Sequence, residues 1–260
     1  MTMKPTFDLT IARALAIDSQ LAYSSGLGSC SDDRATYHEI SNPQTDIHAV
    51  LIQRRDFNVL AFRGTHSLEN WMTDAQVGMV ELGLDGGMIH RGFQAAYLSV
   101  DSLVQDELGR APDVPLWIAG HSLGAALACI CAGYLAWYHG ARWLDAIAGI
   151  YAFGCPLWCN KAGAQTYDRL LGDRTWRVTH ALDPVPHIPR FGTSYGQLYW
   201  KTSGRVWITD DGQCIVNASW WRVLPQAVRC AWNEERRGEL EPIPDHGIQR
   251  YIDALNTAKL

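Results

Sequence analysis

The chain has 260 residues, long enough for one large α/β domain or two small ones, and with 47% of them hydrophobic and 19% charged it has ample material for a sizeable core. Its net charge of −5, from 22 basic and 27 acidic residues, comes without any run of Lys and Arg, which argues against a nucleic-acid partner. Residues 1–10 lack the basic start and continuous apolar core of a secretory signal, and the most apolar window, 123–138, is too short for a membrane span. The expectation is a cytoplasmic protein with no transmembrane segment, with secretion in a mature form as the alternative.

In chain order, residues 7–23 place Leu9, Ala12, Ala16 and Leu21 at helical spacing and stop at a Ser/Gly stretch. Residues 47–52 and 57–62 are apolar, β-rich runs around the charged Arg54-Arg55-Asp56, which reads as a hairpin. Residues 92–108 read as one helix, with Phe93, Ala96, Tyr97, Val100 and Val104 on a stripe. Strand 115–119, helix 123–138, strand 146–153, helix 162–171 and strand 176–180 follow. That alternation predicts a mostly parallel α/β sheet flanked by helices, in a single domain over 1–260. A second hairpin is expected from 198–202 and 205–209, and a last helix over 246–255. Of seven cysteines, Cys129 and Cys131 fall in the apolar helix and Cys155 after an apolar strand, so they read as buried free thiols. A Cys214–Cys230 bridge stays open. Cys155 and Cys159 lack the second ligand pair that a metal site needs.

Gly120-His121-Ser122-Leu123-Gly124 matches G-x-S-x-G, and it follows a predicted strand and opens a predicted helix. A serine on so sharp a turn needs neighbours without side chains, so that strand and helix can approach closely. The helix N-terminus adds free N–H groups beside the hydroxyl. Ser122 is therefore the candidate nucleophile, and His121 a spacer packed beside it.

A serine hydroxyl needs an imidazole to take its proton, and the imidazole needs a carboxylate to fix its tautomer. In this arrangement the chain order is Ser, acid, His. After Ser122 come His139, His180, His187 and His246. His139 ends the helix that leaves the elbow, while His180 and His187 lie too close in sequence to the best acid. His246 remains as the base. The acid is Asp183, which follows a strand and precedes Pro184-Val185-Pro186, at the carboxyl edge where open α/β sheets carry their sites. Asp168 and Asp173 read as solvated charges at a helix end, and Asp245 as a helix cap.

These residues resemble the fungal-type class 3 lipases of the α/β-hydrolase superfamily. Ala61-Phe62-Arg63-Gly64-Thr65, Asn70-Trp71, Asp74, His90-Arg91-Gly92-Phe93, the Ser122 pentapeptide, Asp183 to Pro186 with Pro189, and Asp245-His246 run in family order over roughly 10–255. The resemblance implies that Thr65 and the Leu123 N–H form an oxyanion hole, with Asp74 orienting the Thr65 hydroxyl. It implies a short lid helix over 66–72 with Leu68, Trp71 and Met72 on its apolar face, and it counts Phe93 and Val185 among the substrate-binding positions. The expected activity is hydrolysis of acylglycerol or other lipid esters through an acyl-enzyme, at a lipid–water interface, with no metal or cofactor. An esterase for small or aromatic acyl groups, a phospholipase A1, a serine peptidase and a catalytically silent binding module are the rivals. The stretch 210–241, with Trp220, Trp221 and Trp232, matches nothing in this pattern.

Overall fold

The structure is a computed structural model that describes residues 6–24, 26–27, 35–65, 78–82, 87–188, 199–218 and 246–260. Helix α1 (Leu9–Leu21) starts where the Asp8 carboxylate accepts the N–H groups of Thr10 and Ile11, at 2.7 and 3.0 Å. Strands β1 (Ala35–Asn42), β2 (Ile47–Arg54) and β3 (Asn58–Phe62) follow as an antiparallel meander. The expected hairpin at 47–62 is present. β1 was not foreseen, because its polar sequence carries no apolar alternation; it is the edge strand of the sheet, half-buried along most of its length.

Next come β4 (Met79–Glu81), β5 (Met88–His90), α2 (Arg91–Leu98) and α3 (Asp101–Arg110). The single helix expected over 92–108 is thus two. The Ser99 hydroxyl donates to Ala96 O at 2.7 Å, and the chain turns before Asp101. Val100 and Val104 stay buried, so the apolar stripe runs on across the break. Periodicity records which side is buried, not whether the axis continues.

β6 (Leu116–His121), α4 (Leu123–Tyr138), α5 (Ala141–Ala146), β7 (Ile147–Phe153), β8 (Cys159–Asn160), α6 (Lys161–Leu171) and β9 (Thr175–His180) form the centre of the chain. β10 (Tyr199–Trp200), β11 (Arg205–Ile208), β12 (Cys214–Val216) and α7 (Ile248–Thr257) complete the described elements. The large sheet has the order β1-β2-β3-β6-β7-β9-β11-β12. It is parallel from β3 to β11 and antiparallel at both ends. A small antiparallel sheet, β10-β8-β5-β4, stands apart from it.

The second hairpin expected at 198–209 does not form. β10 joins the small sheet, and β11 pairs in parallel with β9 and antiparallel with β12. The reason lies at Gly204, whose φ of +71° brings its backbone so near Thr175 that a Cβ would sit 1.6 Å from Thr175 O. That contact turns the chain onto β9 rather than back onto β10.

Each face of the large sheet is covered. One core packs Phe93, Tyr97, the length of α4, Tyr167 and Leu171 against Leu51, Leu60, Ile118 and Ile150. The other packs Ala12, Leu15 and Ala16 of α1 with Tyr251, Ile252 and Leu255 of α7 against Val59, Ala119, Tyr151 and Val178. Burial on both faces explains why the central strands read as unbroken apolar runs. Among the described residues, no helix is long and apolar enough to cross a membrane.

Candidate active site

The site lies where β6, β7 and β9 end. Ser122 links β6 to α4 at φ 60°, ψ −128°, a conformation that costs a non-glycine residue on the order of 1–3 kcal/mol. The two flanking glycines make the turn feasible. A Cβ at Gly120 would lie 2.2 Å from Gly124 O, and one at Gly124 would lie 2.2 Å from Phe62 O. The elbow is therefore pressed against its own helix on one side and against β3 on the other. Leu123 opens α4, so its N–H belongs to the helical turn whose amides have no carbonyl within the helix to receive them. Thr65 lies three residues past β3, on the segment that also holds Gly64, whose added Cβ would meet Ser122 Cβ at 3.0 Å.

Asp183 follows β9 and is almost fully buried. Its Oδ1 accepts the Val185 N–H at 2.9 Å, and its Oδ2 lies 2.8 Å from His246 Nδ1 and 2.5 Å from the Tyr251 hydroxyl. Burial alone would push this carboxyl up. The hydrogen bond and charge of His246, the Tyr251 hydroxyl and the Val185 N–H outweigh burial and hold it below the usual carboxylate value. An ionised carboxylate cannot donate, so His246 carries a proton on Nδ1, and in the neutral ring Nε2 is then the lone pair. Among the described residues, His246 Nε2 and Ser122 Oγ are both buried without a hydrogen-bond partner.

Three residues that sequence reasoning had set aside or overlooked belong to this site. His121, read as a spacer, stacks obliquely beside His246 with ring centroids 4.8 Å apart and bonds to its backbone. Tyr251 lies on the buried stripe of α7, where a tyrosine looks like ordinary core. Gly154 has φ +60°, and a Cβ there would fall 2.9 Å from His246 Cε1 and 3.1 Å from Asp183 Oδ2. Its signal was present as a glycine directly after an apolar strand.

Other expected positions fall as follows. Val185 starts a short 3-10 turn and contributes its backbone to Asp183. Phe93 is packed in the core with its ring stacked on His90, centroids 4.1 Å apart. Leu68, Trp71, Met72 and Asp74 lie outside the described residues, as do Cys30 and Cys230. His139 lies against Asp101, and His187 Nδ1 accepts from Lys201 Nζ at 2.8 Å. Asp168, expected as a solvated charge, instead accepts the N–H and hydroxyl of Ser203 at 2.9 and 2.7 Å. Cys129, Cys131, Cys155 and Cys159 are buried free thiols and Cys214 is a half-buried one. No cluster of three or more metal-binding side chains exists among the described residues.

Residues 59–193 match the family model for lipase (class 3), which spans just over half of the chain. The chain belongs to the class 3 lipase family. A relative of the chain is the secreted mono- and diacylglycerol lipase A of Penicillium cyclopium, 34% identical over 171 residues, covering 64% of this chain and 52% of that protein. The chain thus spans about half the length of the curated relatives it matches. Among solved structures, lipase II from Rhizopus niveus superposes with a TM-score of 0.64 at 23% identity, covering 77% of this chain and 80% of that one. A variant of MDLA from Penicillium cyclopium gives 0.60 at 28% identity, with 80% of each chain covered. The fold is that of the α/β-hydrolases, as the resemblance implied.

Proposed function

We propose that this class 3 lipase hydrolyses carboxylic esters of the acylglycerol type through an acyl-enzyme on Ser122. His246 Nε2 takes the Ser122 proton as Oγ attacks the ester carbonyl, while Asp183 holds the imidazolium in place. The Leu123 and Thr65 N–H groups receive the oxyanion, where each such donor is worth about 3 kcal/mol of transition-state stabilisation. The alcohol leaves with the proton from His246, and water repeats the sequence to free the acid. The observation that carries this reading is the His246 Nδ1–Asp183 Oδ2 bond of 2.8 Å, with His246 Nε2 and Ser122 Oγ both buried and making no hydrogen bond, to each other or to another described residue.

The names of the curated relatives support an acylglycerol substrate and favour secretion over the cytoplasmic expectation, which nothing else supports. Leu68, Trp71 and Met72 remain the lid face in this reading, Asp74 the partner of the Thr65 hydroxyl, and 1–260 one domain.

The test is fluorophosphonate labelling together with hydrolysis of nitrophenyl esters from acetate to palmitate, with and without emulsion. Labelling confined to Ser122, lost in Ser122→Ala, and turnover that rises with acyl length and with an interface, support the proposal. Labelling elsewhere overturns the nucleophile, and a preference for acetate with no interfacial rise overturns the substrate class.

A further inference from the structure

The His121 ring is the centre of a hydrogen-bonded line that the proton transfer itself does not use. Its Nε2 lies 2.5 Å from the backbone carbonyl oxygen of His246, and its Nδ1 lies 2.8 Å from the Tyr23 hydroxyl. A carbonyl only accepts, so Nε2 carries the proton. In a neutral imidazole Nδ1 is then the lone pair, and the Tyr23 hydroxyl must donate to it. Burial, with repulsion from His246, pulls the His121 pKa down to about 3, so the ring stays neutral and the direction of both bonds is fixed.

The Tyr23 oxygen in turn packs directly against the backbone of Gly64. The closeness of that approach is measurable: a Cβ at Gly64 would sit 2.2 Å from the Tyr23 oxygen and 2.7 Å from His121 O. The line therefore runs from the residue before Thr65, through Tyr23 and His121, to the backbone of His246. Helix α7 does not hold that last carbonyl, because its backbone ladder starts at Gly247 O, which accepts from Arg250 and Tyr251. His121 does hold it. Its own place is set by the elbow, one residue before Ser122.

We propose that Tyr23 and His121 are positioning residues that tie the backbone of His246 to the loop ending at Thr65, fixing the distance between base and oxyanion donor. The proposal rests on the hydrolase reading above. Neither side chain touches the ester. The relay acts by keeping three chain segments, far apart in sequence, at one separation while the proton moves.

Steady-state kinetics on a nitrophenyl ester in four variants tests this. Tyr23→Phe and His121→Leu break the relay and should lower kcat by on the order of tenfold to hundredfold with KM unchanged, since small displacements of a reacting group act on the chemical step. His121→Gln keeps one donor and one acceptor in the same order and should recover most of the loss. The double variant Tyr23→Phe/His121→Leu should lose no more than the worse single, because both break one line. Unchanged kcat, a change confined to KM, losses that multiply, or a Gln variant as poor as Leu would each overturn the relay while leaving the hydrolase reading intact. If His121→Leu does not fold, Tyr23→Phe decides alone, as it removes a single oxygen. A wild-type protein that hydrolyses no ester overturns the hydrolase reading and the relay together.

Discussion

The Tyr251 hydroxyl and His246 Nδ1 converge on one oxygen, Asp183 Oδ2, at 2.5 and 2.8 Å. The second oxygen is held by the Val185 N–H, so the carboxylate is fixed from both sides. Tyr251→Phe removes one donor to a buried anion, and unfolding free energy near neutral pH should fall by about 1.5–3 kcal/mol. The pH dependence has a definite sign. Asp183 has a folded pKa below its ordinary 3.8, so its contribution is full above that value and is lost as pH falls through the depressed one. Wild type and variant should therefore converge in denaturant titrations carried below the ordinary carboxylate range. A gap that stays constant with acidification would show that the hydroxyl stabilises the fold independently of the carboxylate charge.

Gly154 leaves just enough room for the imidazole. Its φ of +60° disfavours any side chain, and a methyl group would press on His246 Cε1 at 2.9 Å and on Nδ1 at 3.1 Å. Gly154→Ala should keep the sheet, since Gly154 N still donates to Val178 O at 3.0 Å. It should push the ring off Asp183 and cost about a hundredfold in turnover. The paired measurement is kcat on a soluble ester against far-ultraviolet circular dichroism. Normal turnover in a folded variant would mean that His246 relaxes without loss.

How far the sequence announced all this varies by element. The candidates Ser122, Asp183 and His246 could be singled out because each falls at a boundary with its own local signal: glycines about the serine, prolines after the acid, a helix start after the histidine. The parallel strands were legible because burial on both faces leaves only apolar residues. Three things were not. β1 is an edge strand whose polar residues obey no period, β10 and β11 turned out to belong to different sheets, and helix 92–108 hid a break under a continuous stripe. The roles of Tyr23, His121 and Tyr251 were invisible for another reason. His121 and Tyr251 are buried aromatics and Tyr23 a half-buried one, and only the distance to a partner many residues away separates a polar anchor from core packing. Where the lid expectation at Leu68, Trp71 and Met72 is concerned, the positions lie outside the described residues.

The thiols make a prediction about reactivity. Cys129, Cys131, Cys155 and Cys159 are buried, and burial raises the Cys131 and Cys159 thiols well above their usual value. Cys214 is half-buried, with its pKa pushed up to about 11 by burial. Since the thiolate is the reactive form and burial bars the reagent, all five should resist maleimide in the native protein at neutral pH. Cys155 does so through burial alone, because desolvation, which would raise its pKa, is outweighed by the Cys129 hydrogen bond and the Arg177 charge, which pull it down. Cys214 should be the first of them to react as pH rises, read by mass spectrometry of peptides. Rapid native labelling of Cys129 or Cys155 would show that the face of the sheet under α4 opens.

The strongest structural test lies at Gly204, away from the chemistry but upstream of it. Its carbonyl accepts the Arg177 N–H at 2.8 Å, the first bond that draws β11 alongside β9. At φ +71°, with a hypothetical Cβ 1.6 Å from Thr175 O, no side chain fits without separating the two strands. Gly204→Ala combines an unfavourable backbone with overpacking against a carbonyl, and should cost more than about 3 kcal/mol of stability. β9 runs directly into the turn that holds Asp183, so the damage should reach the site. In whatever fraction of the variant stays folded, ester turnover should drop further than the fraction folded alone accounts for. Equal losses in folded population and in turnover would show instead that the β9–β11 pairing carries stability and leaves the Asp183 turn intact.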